Sequence, residues 1–216
     1  MDKYGLRQFL IDYPGMSIVP SRSDGTILKG LFSFSAKPKD KIEISDSYQL
    51  QIAIPQSFPR EIPKITEIGH KIPREAKYHV NGDDTLCLGS ALRVRQSLSQ
   101  NPSIPGFTKN CLLPYLYAIS HKLKYGGDFP FGELDHGEPG VIADYLNLFC
   151  LKESSQVKQA LLLLGMKKRI ANKKPCPCGC GKRLGACPFH YKVNNFRKLA
   201  YRSWFNAHVV NLGTMT

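Results

Sequence analysis

Acidic residues are scarce in this chain, and past residue 150 they all but vanish. Seventeen Asp and Glu stand against 30 Lys and Arg, a formal net charge of +13. From Leu151 to the end there are 13 basic residues and one acid, Glu153, a net of +12. Residues 1–150 hold the other 17 bases and 16 acids and are close to neutral. A shift of that size marks a boundary near Leu151 to Ser155. Any partner chosen by charge meets the C-terminal segment. Long apolar runs are missing as well. The longest notable one, Ala160 to Leu164, is far short of the ~20 residues a spanning helix needs. Met1-Asp2-Lys3-Tyr4 shows no leader pattern. These absences lead to the expectation of a cytoplasmic protein with no membrane partner. Its seven cysteines would be reduced unless they hold metal.

What is present is the composition of a soluble globular chain: 216 residues, 42% hydrophobic and 22% charged. That length holds one ordinary domain plus an appendage, read here as residues 1–150 and 151–216. Leu6, Phe9, Leu10 and Tyr13 recur at helical spacing, and Pro14-Gly15 stops that helix. Strands are expected over Met16–Pro20, Ile27–Ala36, Tyr48–Pro55 and Lys64–Ile68, the third with clean period-two alternation. The prolines of Phe58-Pro59-Arg60-Glu61-Ile62-Pro63 exclude helix and central strand between the last two. Asn101–Gly106 reads as loop, Thr108–Tyr125 as helix, Val141–Leu151 as helix and Ser154–Asn172 as a basic helix. A last aromatic and basic helix is expected over Tyr191–Val210.

The informative stretch is Tyr78-His79-Val80-Asn81-Gly82-Asp83-Asp84-Thr85-Leu86-Cys87-Leu88-Gly89. Asn, Gly and Asp favour a tight exposed turn, which places Cys87 just past it with its sulfur near the surface. A thiol there can serve as a nucleophile once deprotonated. The plainer reading is a small apolar residue in a short strand. Cys111 and Cys150 fall inside helical apolar patterns and read as core. Arg93 and Arg95 follow Cys87. They could lower a thiol pKa or steer a carboxylate, although such pairs are more often a solvated face.

Taken together, the N-terminal helix, the meander ending in Tyr48-x-Leu50-x-Ile52-x-Ile54-Pro55, then Phe58-Pro59, Ile62-Pro63, His79-x-Asn81 and Leu86-Cys87-Leu88 resemble the core of ubiquitin-conjugating enzymes. The resemblance spans roughly residues 2–150. It implies an α+β fold with an N-terminal helix, a four-stranded antiparallel meander and C-terminal helices. It also implies an activity: Cys87 would carry a ubiquitin-like protein, or another protein's C-terminus, as a thioester and pass it to an amine. His79-Val80-Asn81 stands where that family has His-Pro-Asn, with Val80 in place of the proline, and Asn81 would support the oxyanion. The segment Gly126–Gly140 is similar to the Gly-Glu-x-x-His-Gly stretch of prokaryotic relatives. His136 would act as general base or orient the thioester, and Asp135 or Glu133 would meet the incoming amine. The other reading is a plain turn in which Asp135 caps a helix and His136 makes one backbone bond. The resemblance implies partners too: an adenylating activating enzyme, a ubiquitin-like modifier or a CD-NTase-like protein C-terminus, and a target amine. It implies the setting of bacterial antiphage systems such as CBASS.

Pro175-Cys176-Pro177-Cys178-Gly179-Cys180-Gly181-Lys182-Arg183-Leu184-Gly185-Ala186-Cys187-Pro188-Phe189-His190 packs four cysteines and a histidine into one short span. In a reduced compartment this reads as a structural Zn2+ site with Cys176, Cys178, Cys187 and His190 as ligands. Cys180 could substitute as the fourth. The pattern resembles the SEC-C motif, with Pro188-Phe189 separating Cys187 from His190. The competing function class is an inactive adaptor with the same fold, whose basic zinc appendage binds protein or, weakly, nucleic acid.

Overall fold

A computed structural model describes residues 3–21, 25–131 and 137–212. It is a mixed α+β protein that divides into two compact units, residues 1–133 and 134–216. The charge shift at 150/151 therefore falls one helix later than the structural division.

The first unit is built on one antiparallel sheet in the order β1-β2-β3-β4. The strands are β1 Met16–Val19, β2 Thr26–Ala36, β3 Ile44–Ile54 and β4 Lys64–Glu67. A period of two puts alternate side chains on one face. Leu28, Phe32 and Phe34 on β2 and Ile44, Tyr48, Leu50, Ile52 and Ile54 on β3 are buried there. Phe32 pairs with Tyr48 and Leu28 with Ile52 across the ladder, so large side chains stand opposite one another in register. Burying each such side chain stabilises the fold by roughly 1.5–3 kcal/mol. β3 begins at Ile44, four residues ahead of the expected start. The Ser45-Asp46-Ser47 steps hide the alternation, but Ser47 pairs with Ser33 and Ser45 with Ser35 on β2.

Helix α1, Leu6–Asp12, adds Phe9 to this core. After the β4–Cys87 segment come α2, Ala91–Gln100, then α3, Ile104–Phe107, a π turn over Thr108–Leu112 and α4, Leu113–Tyr125. The helical run thus starts at Ile104 and not at Thr108. Ser103 caps it by accepting the Gly106 N–H at 3.0 Å, and Pro105 sits in the first turn, where its missing N–H costs nothing. Helix α4 lies on β2 and β3. A buried polar relay joins them: the Tyr48 hydroxyl is 2.7 Å from the Ser120 hydroxyl, which donates to Asp46 Oδ2 at 2.8 Å. Lys71 pairs with Asp46 Oδ1 and reaches the Ser47 carbonyl at 3.0 Å.

The second unit is helical: α5 Gly137–Phe149, α6 Ser154–Gly165, α7 Lys168–Ala171, α8 Phe189–Phe196 and α9 Arg202–Leu212. Helix α6 is central, packing on α5, α8 and α9. Its core includes Tyr145, Phe149, Leu161, Leu164 and Phe205, with the Phe149 and Phe196 rings 4.6 Å apart. The basic helix expected over 154–172 is broken after Gly165. A Cβ at Gly165 would lie 1.8 Å from Asn206 Oδ1 on α9, so the glycine marks a close helix–helix approach. Arg197 closes the C-terminal end of α6 by donating to the carbonyls of Leu163, Leu164 and Met166 at 2.5, 3.0 and 2.7 Å. No described helix is long and apolar enough to cross a membrane.

Candidate functional site

Two cysteine sites stand out, one in each unit. In the first, residues 79–87 form a small hairpin hung from the sheet. Val80 bridges to Leu86 and Thr66 to Thr85. The Cys87 N–H donates to the His79 carbonyl at 2.8 Å, and the Leu86 N–H to the Ile65 carbonyl of β4 at 2.8 Å. Val80 and Leu86 are buried, Asn81 to Asp84 are exposed, and Cys87, just past Leu86, is half-buried. The turn is closed by its own polar groups. Asp83 Oδ1 accepts the Thr85 hydroxyl at 2.5 Å and the Thr85 N–H at 3.2 Å. Those bonds hold its carboxyl below the usual carboxylate range.

The floor of the hairpin is aromatic. Tyr115 on α4 donates to the Tyr78 carbonyl at 2.9 Å. Burial, followed by the charge a Cys87 thiolate carries beside it, pushes the Tyr115 phenol up. It therefore stays protonated next to Cys87 and would not compete for its charge. The His79 ring lies 5.2 Å from that of Phe129, and Lys122 sits 4.0 Å over the Phe129 face. Asn81 spends its amide within the turn, donating to the Thr85 hydroxyl at 2.9 Å. His136 and Asp135, named with Asn81 as candidate catalytic groups, lie outside the described residues, as does Glu133.

Arg95 is not part of a solvated face. It is 7% exposed, and its Nη1 donates to the Arg60 carbonyl at 2.5 Å. It thereby ties α2 to the proline-rich loop, whereas Arg93 is exposed. Among the other thiols, Cys111 is buried as expected, and burial pushes it up to about 11. Cys150 corrects the sequence reading. Helix α5 stops at Phe149, Cys150 adopts φ 55° and is exposed, with Lys192 Nζ 2.8 Å from its sulfur.

In the second unit, residues 174–176 and 182–184 form a short ladder. Pro175 bridges to Arg183, the Cys176 N–H donates to Lys182 O and the Leu184 N–H to Lys174 O, both at 2.8 Å. Gly179 and Gly181, at φ 77° and 72°, turn the chain between them in the left-handed region where a side chain would be strained. The sulfurs of Cys176, Cys178, Cys180 and Cys187 all lie within 4.8 Å of one another. Cys176 and Cys178 are 3.2 Å apart, Cys178 and Cys187 3.7 Å. Four sulfurs held tetrahedrally at about 2.3 Å from one ion stand about 3.8 Å apart, so the group fits a metal. The all-thiolate donor set suits a soft or borderline cation.

Cys180, the alternative to His190 for the fourth place, lies within this sulfur group. His190 stands outside the sulfur group, with Nδ1 2.8 Å from the Cys187 carbonyl and its ring 3.9 Å from that of Tyr191. Cys180 is exposed and its pKa falls to about 7, through the Lys182 N–H first and the neighbouring thiols next. Burial pushes Cys176 and Cys178 up. The even Cys-x-Cys-x-Cys spacing signalled three equivalent sulfurs. Nothing in the sequence singled out Tyr115, 28 positions from Cys87. No family model, no curated protein and no solved structure matches this chain.

Proposed function

We propose that the first unit is a ubiquitin-conjugating-type transferase in which Cys87 carries a protein C-terminus as a thioester. The observation that carries this reading is the placement of Cys87. It is a half-buried thiol whose backbone N–H is tied to the His79 carbonyl, directly behind an exposed turn. Cys111 is buried, and the remaining cysteines belong to the second unit. A thiolate is both nucleophile and leaving group. It displaces the activating group from the C-terminal carbonyl. The acceptor amine then attacks that carbonyl, loses a proton, and expels the thiolate. The partners are an activating enzyme, a ubiquitin-like modifier or CD-NTase-like C-terminus, and an amine-bearing target. A bacterial antiphage conjugation system is the setting. The sulfur group of the second unit holds structural zinc: four thiolates leave no open position for catalysis.

A second reading, an inactive adaptor on the same fold, is favoured by Asn81, whose amide is committed to Thr85. The two are separated by intact mass after incubation with ATP, a cognate activating enzyme and its modifier. The transferase gives an adduct that thiol removes, that is lost in Cys87→Ala and that survives Cys111→Ala and Cys150→Ser. In Cys87→Ser the adduct becomes a reductant-stable ester. A thiol-labile adduct that persists in Cys87→Ala removes Cys87 as the nucleophile. No adduct with a verified partner set supports the adaptor.

A further inference from the structure

We propose that the exposed face formed by α7 and the cysteine ladder binds nucleic acid through its phosphates. The argument is independent of Cys87. Backbone pairing across the ladder sets Arg183 opposite Pro175, the chain neighbour of Lys174, and Lys182 opposite Cys176. Arg169, Ile170, Lys173 and Lys174 line an open hollow of about 330 Å³ beside it. All five of these cations are exposed, and among the described residues none of them is paired with a carboxylate.

Part of this charge has a local use. A divalent ion in four thiolates carries a net 2−, and cations next to it offset that charge. Two would suffice. Against the +12 of residues 151–216, the metal cluster leaves a net of +10, so most of the positive charge has no internal counterpart. Such a surface recruits a polyanion. A bilayer is a poor fit, because interfacial binding needs an apolar face beside the cations, and Ile170 is the one apolar side chain lining the hollow. A protein partner would want an aromatic or aliphatic centre to bury, and the hollow offers none beyond Ile170. A phosphate backbone needs only regularly placed cations and releases counterions on binding.

The test is fluorescence anisotropy of the full-length, metal-loaded chain with a labelled 20-base-pair duplex of arbitrary sequence. Five phosphate contacts give a slope of about −4.5 in log K against log salt, a loss of about 500-fold between 50 and 200 mM. Lys173→Glu/Lys174→Glu/Arg183→Glu, checked for unchanged metal content, should lower affinity by more than about 100-fold at 50 mM salt. Lys37→Glu/Lys39→Glu/Lys41→Glu makes the same charge change on exposed positions of the first unit and should change it by only a few-fold. Equal losses from both triple variants overturn the proposal, since net charge alone would then explain binding. So does absence of binding at 50 mM salt. Tighter binding to phosphatidylserine vesicles or to polyglutamate than to the duplex overturns it as well, in favour of a membrane or an acidic protein.

Discussion

Replacing Cys180 with Ala should cost the metal site far more than replacing His190 with Ala. The sulfur of Cys180 belongs to a group whose members all lie within 4.8 Å, while the described contact of His190 with the site is a hydrogen bond to the Cys187 carbonyl at 2.8 Å. A structural zinc site contributes roughly 10–16 kcal/mol, and an even share among four ligands corresponds to about two decades of affinity each. Removing Cys180 should therefore weaken metal binding about 100-fold. Removing His190 deletes one half-buried hydrogen bond, worth about 1 kcal/mol net, or about fivefold. Competition against a chromophoric chelator measures both. Cobalt substitution adds an independent reading, because the thiolate charge-transfer band scales with the number of bound sulfurs. It should match four sulfurs in the wild type and in His190→Ala, and three in Cys180→Ala. A three-sulfur spectrum in the wild type, with metal lost from His190→Ala and kept in Cys180→Ala, would refute the four-cysteine site.

Acid should strip stability from the first unit through Asp46. Burial alone would raise its pKa, but the bonds from Lys71, Ser120 and the Ser47 N–H outweigh burial and bring it below the ordinary value. A depressed folded pKa means stability present above the unfolded value of about 3.9 and lost as pH falls through the folded one. Denaturant midpoints should fall below about pH 4 in the wild type and less steeply in Asp46→Asn; equal slopes would remove Asp46 from the explanation. Arg95→Met should lower stability by about 1–3 kcal/mol, because the Arg60 carbonyl loses its buried donor. A urea midpoint unchanged from wild type would return Arg95 to the solvated face.

The meander was legible because Leu50, Ile52 and Ile54 alternate with Gln49, Gln51 and Ala53, a period only a strand satisfies. It was not legible at Ser45-Asp46-Ser47, where the one residue on the inward side, Asp46, is polar and accepts from Ser120 on α4. That contact is invisible until the helix is placed. Ile104–Phe107 hid behind Pro105 and Gly106, which mark loops in isolation yet suit a capped first turn. Cys150 read as core because it continues the apolar pattern of α5, and only the left-handed φ at the helix end exposes it. Arg95 shows the reverse error: its charge argued for solvent, and a backbone carbonyl 35 positions away keeps it inside. The cysteine cluster was legible as a cluster, but spacing alone does not choose between Cys180 and His190, because it does not say which way His190 faces.

Arg197 joins chain positions far apart: Leu163 and Arg197 are 34 residues from each other. The loop between them contains the whole cysteine knuckle, whose first and last cysteines, Cys176 and Cys187, are 11 positions apart. The two closures are nested, so the order in which they form matters. A metal that closes the inner ring leaves about 23 residues of free chain for the outer one. The closure cost falls by about 0.3 kcal/mol. Emptying the metal site lengthens the tether that Arg197 must gather in, and loosens the end of α6 without touching a single atom of that helix.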